Sequence, residues 1–189
     1  RFARTLKPLL RKDDIVWVHD YHLIPLAAEL RKQGCDQLMG FFLHTPLPAL
    51  EILLALPRHE DIMRALASYD LVGFHTVNDL SAFFDYIVLE AGGEVLSDGV
   101  VRAFGRTFRA GVYPIGIDTA DVAKLASKHD NSPEAKRLET TLQKRLLITG
   151  VDRLDYSKGL VARFNAFEKL LASDPKMLNK VTFMQIAPP

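Results

Sequence analysis

Short, continuously apolar runs recur along this chain, and all but the last are followed by a segment with helical spacing. The runs are Ile15 to His19, Leu38 to Leu43, Asp70 to Phe74, Arg145 to Val151 and Val181 to Ile186. A strand that is apolar on both sides has both faces buried, and such strands alternating with helices belong to parallel sheets covered on both faces. The pattern therefore predicts an α/β protein. Helical spacing predicts helices over His22 to Gln33, closed by Gly34, over Pro48 to Leu56 and over Glu60 to Ser68, with Pro57 between the last two. Thr76-Val77-Asn78-Asp79 resembles a capping box and opens a helix that ends near Gly92-Gly93. Val100 to Phe104 and Thr107 to Val112 predict a hairpin that turns at Gly105-Arg106.

The texture resets after that hairpin. Tyr113-Pro114-Ile115-Gly116-Ile117-Asp118 is a turn-rich connector. Asp118 and Ser132 each read as helix starts, the latter with Pro133 at the first helical position. A fresh βαβ pattern then begins at Arg145. The expectation is two Rossmann-like parallel-sheet domains, residues 1–116 and 117–189, the second cut short. The chain starts in mid-pattern at Arg1 and stops directly after a strand-like run, so it reads as a piece of a longer protein.

Composition narrows the function. With 24 Lys+Arg against 23 Asp+Glu, bulk charge gives no grip on nucleic acid or an anionic membrane, so any anion must be bound locally. No apolar run approaches the ~18 residues of a membrane-crossing helix. The single cysteine, Cys35, excludes an intrachain disulfide and a multi-cysteine metal site, and fits a reducing, cytoplasmic setting.

The most informative local signal is Gly150-Val151-Asp152-Arg153-Leu154-Asp155-Tyr156-Ser157-Lys158-Gly159. It joins a strand-like run to a helical pattern that carries Leu160, Phe164, Phe167 and Leu171. Strand-to-helix loops of α/β folds sit where ligands bind. Arg153 and Lys158 there, added to the N–H groups of a helix start, suit a phosphate or diphosphate. Asp152 and Asp155 in the same loop leave a purely structural ion-pair cluster as the alternative.

Polar side chains gather at three other strand ends. His19-Asp20-Tyr21-His22 offers an acceptor for sugar hydroxyls in Asp20, and donors or stacking surface in Tyr21 and His22. A metal site is the rival reading, and Asp20 as a simple helix cap is the bland one. His44-Thr45-Pro46 and Phe74-His75-Thr76 end the next two strands in the same way, so Asp20 and His44 are expected to line one cleft. Phe41, Phe42, Phe83, Phe84, Phe164 and Phe167 read as core. No G-x-G-x-x-G, P-loop, G-x-S-x-G or H-E-x-x-H pattern is present.

Taken in order, Val18-His19-Asp20-Tyr21-His22-Leu23, Gly40 to Pro46, Asp70 to Thr76, Tyr113 to Asp118 and Val151 to Gly159 closely resemble the trehalose-6-phosphate synthase family of retaining glycosyltransferases. His75 is a departure, where many relatives carry Gln. The resemblance implies a GT-B type enzyme with two Rossmann-like domains, both incomplete in this chain. It implies transfer of glucose from UDP-glucose to glucose 6-phosphate with retention, giving α,α-trehalose 6-phosphate in the cytoplasm. No cofactor, metal, nucleic acid or membrane is called for, and the full-length protein is a candidate homo-oligomer. Arg153 and Lys158 match residues that hold the donor diphosphate, Asp20, Tyr21 and His22 match part of the acceptor site, and His44 matches a residue near the transferred glucose. His44, Arg153 and Lys158 are thus the expected catalytic residues, with Arg153 and Lys158 in the electrophilic role a metal ion plays elsewhere. The family's Gly-rich N-terminal loop and acidic donor-binding segment lie outside this sequence, so the fragment alone is expected to be inactive. A transferase using another phosphorylated acceptor, such as glycerol 3-phosphate, and a non-catalytic regulatory domain are the alternatives.

Overall fold

A computed structural model describes residues 1–188. It divides into two compact units, Arg1–Gly116 and a second that begins at Ile117. In the first, helix α1 (Phe2–Leu6) leads to strand β1 (Ile15–His19), α2 (Leu26–Lys32), β2 (Leu38–Phe42), α3 (Leu50–Leu54), α4 (His59–Leu66), β3 (Leu71–Phe74) and α5 (Val77–Asp85). Strands β4 (Glu94–Val95), β5 (Val100–Ala103) and β6 (Arg106–Val112) complete it. All six lie in one sheet in the order β1-β2-β3-β6-β5-β4. The β1, β2, β3 and β6 pairings are parallel, whereas β5 runs antiparallel to β6 and β4 antiparallel to β5. The parallel sheet expected from the sequence is therefore mixed. The reason is the hairpin, which adds its first strand outside the parallel set and recruits the two-residue β4.

Local chemistry accounts for the element ends. Helix α2 is shorter than expected because Pro25 separates it from a single 3₁₀ turn at Tyr21–Leu23. Gly34 and Cys35 close it by donating to the Arg31 and Leu30 carbonyls, a Schellman arrangement. The capping box is present: Asp79 N–H donates to the Thr76 hydroxyl, and the Thr76 N–H donates back to the Asp79 carboxylate. The expected helix to Gly92 continues beyond α5 as one π-helical turn, Tyr86–Glu90. The hairpin turns at Phe104-Gly105 rather than Gly105-Arg106, since Ala103 pairs with Arg106. Both turn residues have positive φ, 54° and 73°, as a type I′ turn requires. The Phe104 ring is held under the Arg64 guanidinium, 4.7 Å from its centroid.

The core lies on one side of the sheet. Val16 and Val18 pack with Leu26, Ala27 and Leu30 of α2, while α5 packs on β3 and β6 through Phe83. Asp70 ties this layer together, accepting from the Met39 N–H at 2.7 Å and pairing with Arg31 at 2.8 Å. The other side is not covered by the elements of this unit. Ile15, Trp17 and Leu38 remain 72%, 66% and 63% exposed, because the helices of the unit gather on the Val16 and Val18 side.

The second unit carries α6 (Thr119–His129), capped by Asp118, and α7 (Pro133–Leu142), capped by Ser132. Strand β7 (Leu146–Val151), α8 (Leu160–Ser173) and β8 (Val181–Ile186) follow, with β7 and β8 parallel in a sheet of their own. Phe183 holds Phe164 and Phe167 by ring contacts at 5.5 Å, although Phe164 is half exposed rather than core. Among the described residues no helix is long and apolar enough to cross a membrane.

Candidate active site

Parallel register brings the carboxyl ends of β1, β2 and β3 level, with His19 opposite Phe42 and Phe42 opposite Gly73. Three histidines therefore meet. His19 Nδ1 lies 2.9 Å from His44 Nε2, and the His44 and His75 rings are 5.8 Å apart and edge-on. Phe42 presents its ring to both, at 4.9 and 4.8 Å. When both rings are neutral, the His19–His44 contact holds one proton, which leaves His44 Nδ1 as the nitrogen free for a ligand. Trp17 lies against His19, with ring centroids 4.4 Å apart.

Asp20 adopts φ 67° and ψ 164°. That conformation is essentially reserved for glycine and costs a residue with a Cβ about 1–3 kcal/mol. It is held in place because the Asp20 N–H donates to the Phe42 carbonyl at 2.8 Å, a bond from the end of β1 to the end of β2. One carboxylate oxygen accepts from the Tyr21 N–H at 3.0 Å and caps the 3₁₀ turn. The bland cap role is thus real but uses only one oxygen. Tyr21 and His22 stack on each other with centroids 4.0 Å apart, and Tyr21 is half exposed.

The expected residues are not all drawn together. His44 joins His19 and His75, and Asp20 docks by its backbone beside them. His22 instead lines a cavity of about 540 Å³ against α1 and α2, with Arg1, Arg4 and Glu29. No group of three His, Cys, Asp or Glu side chains among the described residues is arranged to hold a metal ion.

The β7–α8 loop belongs to the second unit. Asp152 pairs with Arg163 at 2.7 Å, and Asp155 accepts from the Ser157 N–H at 2.9 Å to cap the turn Tyr156–Lys158. Hydrogen bonds from the Ser157 backbone and side chain hold the Asp155 carboxyl below its usual range, and Arg153 and Lys158 add to the effect. The two acids are therefore engaged with other groups. Neither the Arg153 guanidinium nor the Lys158 ammonium makes a salt bridge or side-chain hydrogen bond among the described residues. Gly159 opens α8 at φ 63° and offers no capping side chain, so the first N–H groups of this 14-residue helix face the same loop. The arrangement suits an anion brought from outside.

Two partners at these sites are not evident from the sequence. Arg163 was one position in a helical pattern, and its charge at a helix start, where cations are disfavoured, was the available signal. Adjacency in sequence groups His19 with Asp20, Tyr21 and His22, whereas strand register makes His44 its partner.

The model of Glycosyltransferase family 20 matches residues 1–189. The chain is 48% identical over 187 residues to the trehalose-6-phosphate synthase of Sinorhizobium fredii, a match that covers 99% of this chain and 40% of that protein. It is 47% identical over 186 residues to the same enzyme from Cronobacter sakazakii, again over 39% of the relative. The chain thus spans about two fifths of the length of these curated relatives. Among solved structures, an α,α-trehalose-phosphate synthase (UDP-forming) from Burkholderia xenovorans in complex with glucose 6-phosphate superimposes with a TM-score of 0.85 at 53% identity, over 99% of this chain and 42% of that one. The Escherichia coli protein bound with UDP-2-fluoro glucose gives 0.81 at 45% identity, over 98% and 41%. Match along the whole sequence and agreement in fold lead to one assignment: the chain belongs to glycosyltransferase family 20.

Proposed function

We propose that the full-length protein containing this chain transfers glucose from UDP-glucose to glucose 6-phosphate with retention, forming α,α-trehalose 6-phosphate and UDP. The observation that carries this reading is the pair of cations, Arg153 and Lys158, which make no salt bridge among the described residues of the β7–α8 loop and its surroundings. Breaking the donor's glycosidic bond puts negative charge on the departing diphosphate. One cation at ~4 Å is worth about 4 kcal/mol at an effective dielectric of ~20, and more once water is excluded. Arg153 supplies a planar fork and Lys158 a point charge, so the two grip the diphosphate in complementary ways. His44, with Nδ1 free, and the strained Asp20 are the groups we assign to the transferred glucose and the acceptor, with Tyr21 and His22 beside Asp20. Strain of this kind persists at functional sites, where the surrounding structure holds it.

The complex of the Burkholderia xenovorans relative with glucose 6-phosphate supports the choice of acceptor. The nucleotide sugar is itself a substrate, so the reaction needs no cofactor. The free, buried thiol of Cys35 fits the cytoplasm, where we place the reaction. The test is to incubate the full-length protein with UDP-glucose and either glucose 6-phosphate or glycerol 3-phosphate. UDP release and an α,α-linked product with the first acceptor are expected. Turnover with glycerol 3-phosphate alone, or with neither, overturns the proposal.

A further inference from the structure

We propose that Arg163 is a positioning residue for the glucosyl transfer: from the first turn of α8 it clamps both ends of the Asp152–Lys158 loop and so fixes the roots of Arg153 and Lys158. The inference rests on the diphosphate reading of those two cations. Arg163 Nη1 donates to the Asp152 carboxylate at 2.7 Å, directly before Arg153 in sequence. Its Nη2 donates to the Lys158 carbonyl at 3.2 Å. One planar guanidinium therefore spans the loop that carries both cations.

The clamp is anchored in the sheet. Arg163 Nη1 also donates to Gln185 Oε1 at 2.9 Å, and the Gln185 amide nitrogen donates to the Ile186 carbonyl at 3.1 Å, which orients its oxygen toward Arg163. Gln185 on β8 is the register partner of Gly150 on β7. A Cβ at position 150 would sit 2.7 Å from Arg163 Nη1 and 2.5 Å from Gln185 Oε1. The last residues of β7 thus leave room for the guanidinium where any side chain would displace it.

There is a second effect. A cation near a helix N-terminus is disfavoured by the macrodipole, so Arg163 is poorly placed for helix stability alone. Its pairing with Asp152 neutralises the one loop carboxylate that is not used as a cap. Without it, Asp152 becomes a competitor of the diphosphate for Arg153. Arg163 therefore acts through its neighbours and does not itself touch the diphosphate. Loosening a charged group by a fraction of an ångström weakens transition-state stabilisation more than ground-state binding.

The test uses the full-length protein and four variants: Arg163→Gln, Arg163→Lys, Lys158→Ala and the double variant Arg163→Gln/Lys158→Ala. Arg163→Gln is expected to lower kcat about 10–100-fold, with KM for UDP-glucose changed by less than about threefold. Arg163→Lys keeps the charge and much of the volume but loses the fork, so it is expected to fold normally and still lose about tenfold in kcat. In the Lys158→Ala background the further loss from Arg163→Gln is expected to shrink to about fivefold or less, because one of the groups it positions is gone. Additive losses in the double variant overturn the proposal, as does a normal kcat for Arg163→Lys. A Lys158→Ala enzyme with normal kcat/KM strikes the diphosphate reading itself. A defective Lys158→Ala beside a kinetically normal Arg163→Lys strikes only the role of Arg163.

Discussion

Replacing Asp20 by glycine should leave a more stable protein than replacing it by alanine, against the usual order. Both variants remove the carboxylate and its bond from the Tyr21 N–H, so that loss cancels in the comparison. What remains is the backbone at φ 67° and ψ 164°. Alanine retains the Cβ and with it a strain of about 1–3 kcal/mol. Glycine relieves the strain but loses more chain freedom on folding, at a cost of about 0.5–1 kcal/mol. The central values favour Asp20→Gly by about 1 kcal/mol, whereas at an ordinary position alanine is favoured by about 0.4–1 kcal/mol. Urea unfolding of the two full-length variants, compared by midpoint at matched slopes, reads this directly. Both should also lose at least about 10²-fold in kcat/KM if the carboxylate holds the acceptor. An alanine variant as stable as the glycine variant refutes the strain, and a glycine variant with normal kcat/KM refutes the assignment of Asp20.

Three other outcomes are expected. Lys158→Ala in the full-length enzyme should lower kcat/KM about 10²–10³-fold with little change in melting temperature, and Arg153→Lys should also be costly because it keeps charge without the fork. Burial pushes the Tyr69 phenol from its usual 10.0 up to about 12. Since the folded value is the higher one, this contribution to stability is intact below pH 10 and is lost as pH rises toward 12. Tyr69→Phe should flatten that fall in alkaline unfolding curves, and an unchanged curve refutes it. Finally, the isolated 189-residue chain should be inactive and prone to associate through its exposed Ile15, Trp17 and Leu38 side chains. Turnover near that of the full-length enzyme contradicts this.

Much of the fold was legible because apolar strand runs and capping residues act locally. The strand Ile15–His19 and the starts of α5, α6 and α7 were read at their observed positions for that reason. The hairpin's turn slipped by one residue because Phe104 at positive φ is an outlier that composition does not announce. The two-residue β4 was missed because only pairing with β5 defines it. The candidate site divides along the same line. That Arg153 and Lys158 share a loop follows from their spacing. That Asp152 turns to Arg163, so that neither cation has a salt-bridge partner among the described residues, depends on how α8 packs over β8. The strain at Asp20 has no signature at all in sequence, since aspartate is a common residue before a turn and the Phe42 carbonyl that anchors its N–H comes from another strand.

The contact between Trp17 and His19 gives this chain a built-in optical probe. Trp17 is the only tryptophan in the sequence, it is largely exposed, and its ring meets His19 at 4.4 Å. An imidazole held against an indole changes the intensity of its emission. The emission intensity of the isolated chain therefore reports the contact between the two rings at the end of β1. The wavelength of the same emission reports something separate, whether water still reaches the Ile15–Trp17 face. One fluorophore thus gives two signals, one for the ring contact at the strand ends and one for whatever comes to cover the sheet.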